Sequence, residues 1–261
     1  MSQYTDDLRL AHLLADNADS IAMSRFQASD LERSFKDDAT LVTDADRNVE
    51  LAIRRGLAAS RPRDAVHGEE MSDTGWGARR WVIDPIDGTA NFARGVPVWA
   101  TLIGLMVDGE VRVGVVSAPA LGRRWWASQG DGAWVGKSLF TGTRLHVSNT
   151  AHVPDAFLSY SSIDGWMAGP RAQAFVDLMR DCHRTRAFGD FFSYMLVAEG
   201  GVDIATEPEL ALHDMAALDV IVGEAGGRFT NLDGVPGPVG PGALATNGRI
   251  HDEVLARLRV G

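Results

Sequence analysis

Apolar side chains recur at two different periods along this chain, and the change of period marks out its elements. Leu8, Ala11, Ala15, Ala18, Ala22 and Phe26 share one face of a 3.6-residue repeat, which predicts an amphipathic helix over residues 6–28. Val49, Ile53 and Leu57 predict a second helix, starting near Thr43 and stopping before Arg61-Pro62. Thr43 and Asp46 have the spacing of a capping box at its start. Residues 98–107 and 111–118 are instead rich in Val, Ile, Leu and Thr, and Asp108-Gly109 between them is a strong hairpin signal. Short strands are expected at 125–127 and 132–135, and a loop at 138–144. A boundary near 145 would divide the chain into an N-terminal subdomain (1–145) and a C-terminal one (146–261).

Beyond that boundary strands and helices alternate. Helices are expected over 171–183, 193–199 and 215–225, the last two closed by Gly200-Gly201 and Gly226-Gly227. A Gly/Pro-rich loop at 233–242, a short strand and a closing helix at 252–258 complete the chain. No internal repeat interrupts this order.

One octet carries most of the chemistry, Val82-Ile-Asp-Pro-Ile-Asp-Gly-Thr89. An apolar pair reads as a strand running into Asp84, Pro85 predicts a turn, and Asp87 follows. Two carboxylates three residues apart at a strand end can converge on one point. Gly88 lets the backbone approach a ligand, and the N–H groups that follow can face an anion. Three further acidic sites stand out: Glu69-Glu70 in a loop, Asp44-Ala-Asp46 at a helix start, and Asp214 ahead of an apolar helix. Taken singly these are ordinary, since an Asp at a helix start is commonly a cap and Asp84-Pro85 a common turn opener. Together they form an all-oxygen donor set that suits Mg²⁺, and no His or Cys pair has zinc spacing.

Charge and cysteine content narrow the classes. With 25 basic and 35 acidic side chains the net charge is −10, which disfavours a nucleic-acid partner. It leaves room for an anionic substrate, because bound divalent cations invert the local potential. The single cysteine, Cys182, excludes an intrachain disulfide framework and fits a reducing cytoplasm. No apolar run reaches the ~18–20 residues of a membrane span, and the N-terminus has no signal-peptide pattern. Cys182 falls in a predicted helix, and no serine sits in a nucleophile elbow. A covalent nucleophile is therefore not indicated. Only two lysines occur, which makes Lys36 conspicuous.

The succession Gly-Glu-Glu at 68–70, Asp-Pro-Ile-Asp-Gly-Thr-Ala-Asn-Phe at 84–92 and His-Asp-Met-Ala-Ala at 213–217, ahead of Glu-Ala-Gly-Gly, resembles the inositol-monophosphatase superfamily. Lys36, Leu-Val-Thr-Asp-Ala-Asp at 41–46 and Ala-Thr-Asn-Gly at 245–248 match as well. The resemblance covers nearly the whole chain. One departure is His213, where inositol-preferring members usually carry tryptophan. The resemblance implies an α/β (α+β) fold, a five-layered αβαβα sandwich, a homodimer, and two or three Mg²⁺ ions per site. By the same resemblance Glu69, Asp84 and the carbonyl of Ile86 hold one metal, and Asp84, Asp87 and Asp214 a second. Asp46 and Glu69 serve a weaker third ion and its water. Thr89 with Asp46 orients the attacking water, and Gly88 and Thr89 cradle the phosphate. The implied reaction is direct attack of water on a phosphate monoester.

The leaving group is read from other residues. Arg186-Ala-Phe-Gly189-Asp190-Phe occupies the place where the family's leaving-group pocket begins, and Glu207 lies seven residues before Asp214. Two carboxylates beside the ester suit a cationic leaving group. The wording at 123–127, 189–194, 198–200 and 207–208 resembles the bacterial histidinol-phosphatase branch, which implies histidinol phosphate as substrate. Asp87, Gly88, Thr89, Arg186, Gly189, Asp190, Glu207 and Asp214 are then the expected substrate contacts, with Arg186 alternatively at a dimer contact. The alternatives are an inositol-1-phosphatase or broader sugar-phosphate phosphatase, and a regulatory binding protein with vestigial activity. For Lys36, charge compensation and a plain solvated lysine both stay open. His213 is expected to pack rather than touch substrate. Trp125 and Trp126, adjacent on a strand, point to opposite faces, which favours packing over stacking on a substrate ring.

Overall fold

The computed structural model describes residues 3–36 and 40–259. Helix α1 (Thr5–Arg25) is followed by a hairpin of β1 (Arg33–Phe35) and β2 (Leu41–Thr43), and then by α2 (Asp44–Ser60). Strands β3 (Ala65–Gly68) and β4 (Arg79–Asp87) lead to the short α3 (Thr89–Arg94). Next come β5 (Ala100–Val107), β6 (Glu110–Ala118), β7 (Arg123–Ser128), β8 (Gly132–Gly136) and β9 (Thr143–Arg144). The second half runs β10 (Phe157–Ser159), α4 (Ile163–Ala168), α5 (Ala172–Asp181), β11 (Arg184–Arg186), α6 (Asp190–Ala198) and β12 (Ile204–Glu207). It closes with α7 (Leu212–Glu224), β13 (Arg228–Thr230), β14 (Ala243–Thr246) and α8 (His251–Leu258).

Two sheets result. Strands β3 to β9 form a seven-stranded sheet in chain order, antiparallel except for the β3–β4 pair. The other sheet has five strands in the order β11-β10-β12-β14-β13. Side-chain alternation shows what each face meets. In β7, Trp125 faces the core between the sheets, whereas Trp126 joins α1 and α2 on the opposite face. In β14, Ala243 and Ala245 face the inter-sheet core, and Leu244 joins Trp166, Phe175 and Val254 outside. Five layers follow: α1 and α2, the large sheet, α6 and α7, the small sheet, then α4, α5 and α8.

Helix α7 explains the middle layer. Met215, Ala216, Ala217, Leu218, Val220, Ile221 and Val222 are all buried, so it lacks the polar face of a surface helix and needs cover on both sides. Its approach to the large sheet is close: a Cβ at Gly114 would lie 2.7 Å from the Ala217 carbonyl.

Several expected boundaries shift. The 108–109 turn forms as expected, with Asp108 and Gly109 both at positive φ (54° and 85°), the backbone of a tight hairpin. Helix α1 ends at Arg25, because Phe26 turns extended. Pro85 makes no turn, and β4 runs on to Asp87 through a β-bulge. Residues 143–144, expected as loop, add the edge strand β9. Helix α6 begins three residues earlier than its apolar pattern, at Asp190. Cys182 lies just past α5, as its C-cap.

At the start of α8, His251 is buried between two threonines. Its Nε2 and Nδ1 lie 3.0 Å from Thr230 Oγ1 and Thr246 Oγ1. Thr230 donates its own proton to the Asn231 carbonyl and so accepts from Nε2–H, while Thr246 donates to Nδ1. This pairing fits a neutral ring, and burial, reinforced by Arg228, lowers its pKa to about 4. Because the folded pKa lies below the unfolded value, this stability is complete above about pH 6.5 and is lost as the pH falls toward 4. His251→Gln removes the titration. Its stability deficit relative to the parent, measured by urea unfolding, is expected to shrink by about 2 kcal/mol between pH 7.5 and 5. A pH-independent deficit would contradict a neutral buried ring.

Candidate active site

The bulge in β4 decides the geometry. In a regular strand, residues three apart point to opposite faces. Here Asp84 pairs with Leu102 and Asp87 with Ala100, so three steps on β4 match two on β5. The extra residue resets the alternation and brings both carboxylates to one side. Thr101 Oγ1 secures the bulge by donating to the Pro85 carbonyl (2.8 Å). Asp214, in the first turn of α7, completes the cluster. Oxygens of Asp84, Asp87 and Asp214 all lie within 4.8 Å of one another. Asp214 Oδ2 accepts from the Ala211 N–H (2.7 Å), which fixes the side chain at the helix start.

This cluster is electrostatically unbalanced. Asp84 is 1% exposed and its Oδ1 has no hydrogen-bond partner. Burial, then Glu69, Asp87 and Asp214, push it well above the usual carboxylate range. Asp87 is raised in the same way, by burial and then by Asp190 and Asp214, although the Phe191 N–H donates to its Oδ2 (2.7 Å). A divalent cation resolves both problems. Oxygens around a hard divalent cation lie about 2.0–2.6 Å from it and so about 3–4 Å from their neighbours, close to the spacing already present. The orphaned oxygen, the oxygen-only donors and the accumulated charge all fit a hard cation.

The remaining expected residues are placed around this centre. Asp46 is fully buried, and its Oδ2 accepts from the Thr43 N–H (2.9 Å) and hydroxyl (2.6 Å), closing the expected capping box. Its Oδ1 accepts from Thr89 Oγ1 (3.0 Å), which also lies 3.0 Å from the Ile86 carbonyl. Burial raises Asp46. Glu69 pairs with Lys36 (2.8 Å), which also holds Glu70 (2.6 Å). Burial raises Glu69, and Lys36 opposes that. Lys36 is thus engaged with the acidic loop rather than solvated. Gly88, at φ 83°, opens α3 in the left-handed region, and a Cβ there would meet Asp190 Oδ2 and the Val98 carbonyl at 3.0 Å.

A cleft of about 550 Å³ adjoins this centre and is lined by Gly88, Thr89, Gly189 and Asp190 among others. Asp190 has the unusual φ of 45°. Ser161 holds it there, accepting from the Asp190 N–H (2.6 Å) and donating to Asp190 Oδ1 (3.2 Å). Asn91 donates to Asp190 Oδ2 (3.2 Å). Ser161 also links Asp190 to Glu207, whose Oε1 accepts the Ser161 N–H (2.7 Å). Glu207 is 6% exposed, and burial raises it to about 7. Neither Asp190 nor Glu207 is in an ion pair among the described residues.

Arg186 points elsewhere. It is exposed, and its Nη1 donates to the Thr185 carbonyl (2.8 Å), outside the cleft lining. His213 stacks on His67 (5.9 Å between centroids) with Nε2 3.7 Å from Asp214 Oδ1. Trp125 and Trp126 are both core residues. Ser161, Asn91 and Phe188 line the cleft without having been singled out from the sequence. The Asp-Gly-Thr-Ala-Asn run placed Asn91 near the site, but nothing local marks Ser161.

The sequence profile of the inositol monophosphatase family matches residues 4–260. The chain belongs to the inositol monophosphatase family. This family is metal-dependent, in keeping with the acidic cluster. Among its relatives, a histidinol-phosphatase from Streptomyces coelicolor is 57% identical, over 99% of this chain and 98% of its own length. A histidinol-phosphatase from Mycobacterium tuberculosis is 54% identical, over 98% of this chain and 99% of its own. Among solved structures, an inositol monophosphatase from Zymomonas mobilis superposes with a TM-score of 0.85 at 32% identity, covering 99% of both chains. The family's five-layered fold is the one found here.

Proposed function

We propose that this inositol monophosphatase family member hydrolyses L-histidinol phosphate to L-histidinol and phosphate, with Mg²⁺ as its metal. The observation that carries the substrate is the pair Asp190 and Glu207, joined through Ser161 beside the acidic cluster and lacking a cationic partner among the described residues. Burying two carboxylates without a counter-charge is costly. An ammonium or imidazolium of the leaving group supplies that charge, and a neutral polyol does not. The names of the two relatives support the same reading.

In this reading Asp84, Asp87 and Asp214 hold one ion, and Glu69, Asp84 and the Ile86 carbonyl another. When bound, the ions neutralise the phosphate oxygens and acidify water. Thr89 donates to Asp46, so its lone pairs accept from the attacking water and aim it. Gly88 and Thr89 N–H groups support the phosphate as the water–phosphorus bond forms and the ester bond breaks in line. The alcohol leaves with one proton of the water, and inorganic phosphate keeps the other. Lys36 opposes the burial that raises Glu69 and so favours its charged form. Residues 1–145 thereby carry most metal ligands, and 146–261 the leaving-group pocket and Asp214. The working form in this reading is a cytoplasmic homodimer, which light scattering checks.

Phosphate release from histidinol phosphate and from inositol 1-phosphate, each with Mg²⁺, tests the substrate. Histidinol phosphate should be preferred by at least about 100-fold in kcat/KM, the scale of two charge-assisted contacts. Equal turnover of inositol 1-phosphate would refute the assignment. Asp190→Asn should lower kcat/KM for histidinol phosphate about 10–100-fold and spare the neutral ester. Equal losses on both esters would remove the charge-matching argument.

A further inference from the structure

The cleft beside the acidic cluster is not uniformly polar. Leu41, Val96, Val98 and Phe188 contribute apolar surface to the same lining that holds Asp190. Phe188 is the aromatic residue among them, and it is 39% exposed. Its ring is not loose. It stacks on Phe157 (6.4 Å between centroids, 25° between planes) and meets Phe192 nearly edge-on (6.3 Å, 74°). Phe157 comes from β10 and Phe192 from α6, and both pack against the inter-sheet core. Two sides of the ring are thus braced by the fold, and the residue stays partly bare where it lines the cleft.

A half-exposed phenyl ring at a polar cleft leaves apolar surface in water, at a cost of roughly 25 cal/mol per Å². A flat partner, neutral or cationic, recovers that cost. Aromatic rings pair offset-stacked or edge-to-face, and a cationic ring gains further from the negative π-face. Because the ring is already fixed by Phe157 and Phe192, little side-chain entropy remains to be lost on binding.

We infer that Phe188 is a specificity-determining residue that stacks against the imidazole ring of the leaving group while Asp190 receives its ammonium. This rests on the histidinol phosphate reading and extends it from charge to ring recognition. Both residues line the same cleft. Phe188 and Asp190 are two residues apart, across Gly189 at φ 93°. In histidinol the amine-bearing carbon and the ring are separated by one methylene. One end of the leaving group is then chosen by charge and the other by shape.

The test is steady-state kinetics with histidinol phosphate and Mg²⁺ on the full chain, comparing Phe188→Leu with Phe188→Tyr. Leucine keeps apolar volume and loses the ring, and tyrosine keeps the ring. Phe188→Leu is expected to raise KM about tenfold with kcat within about threefold of the parent. Phe188→Tyr should stay within about threefold in both constants. A KM within twofold of the parent for Phe188→Leu, or an equal loss in Phe188→Tyr, overturns the inference. So does a fall in kcat together with melting temperature, which would mark Phe188 as a packing residue. The parent protein alone reports on the underlying reading. If it does not hydrolyse histidinol phosphate, the substrate assignment fails before any variant is compared.

Discussion

Asp84→Asn should abolish most turnover, on the order of 10³-fold or more, and at the same time make the metal-free protein more stable. The loss follows from position. Asp84 stands at the bulge where β4 delivers two carboxylates to one point, and in the proposed site it would be a ligand to both ions. An amide offers one neutral oxygen in place of a shared carboxylate, and electrostatic stabilisation of the transferring phosphoryl group is the dominant contribution to such chemistry. The gain follows from the same crowding. With no cation, Asp84 is buried beside Asp87, Asp214 and Glu69, and its Oδ1 is unpaired. Replacing it by a neutral isostere removes that repulsion and is expected to raise metal-free stability by about 1 kcal/mol or more. Mg²⁺ should then stabilise the parent, by about 2.7 kcal/mol at a concentration 100 times Kd, and the variant far less. Phosphate release, with thermal melts in chelator and in Mg²⁺, reads all three effects. A variant keeping a tenth of parental activity, or one stabilised by Mg²⁺ as much as the parent, would remove Asp84 from the metal site.

Some of this arrangement was legible in the sequence because its cause is local. The apolar faces of α1 and α2, the Thr43–Asp46 cap and the Asp108-Gly109 hairpin each depend on residues a few positions apart. The five-layered fold came from the family resemblance rather than from periodicity, and α7 shows why. Its unbroken apolar surface indicates a buried helix without saying which two sheets cover it. The β4 bulge was not legible either. Proline after Asp84 signals a turn in isolation, and only pairing with β5 shows the strand absorbing one extra residue.

The cleft shows the same limit more sharply. Asp190 and Glu207 were found through the family's pattern, but their joint placement depends on Ser161, 29 residues from one and 46 from the other. Helix α6 starts at Asp190, in a backbone conformation that its apolar pattern does not encode. Arg186, close in sequence, is carried away from the cleft because β11 ends there and the residue faces solvent. Proximity along the chain misjudges residues on either side of such a sharp backbone turn.

Thr89→Val should lower kcat about 10²–10³-fold with KM nearly unchanged, and Thr89→Ser should recover most of that loss. Thr89 Oγ1 sits between Asp46 Oδ1 and the Ile86 carbonyl, at 3.0 Å from each. One hydroxyl proton serves one acceptor at a time, and donation to the carboxylate is the stronger bond. The oxygen lone pairs are then directed at whatever donor enters the site. A water held this way turns its own lone pair toward phosphorus, an interaction that matters only as the new bond forms. Removing it therefore costs kcat and leaves ground-state binding in place. Valine keeps the β-branched shape at the start of α3 and loses the hydroxyl, and serine keeps the hydroxyl and loses only a methyl. Because Asp46 retains its two bonds from Thr43, the carboxylate stays in position in both variants. Mg²⁺-induced stabilisation should accordingly match the parent in both. A Thr89→Val protein that loses activity through KM, or that no longer gains stability from Mg²⁺, would place Thr89 in substrate or metal binding instead of water orientation.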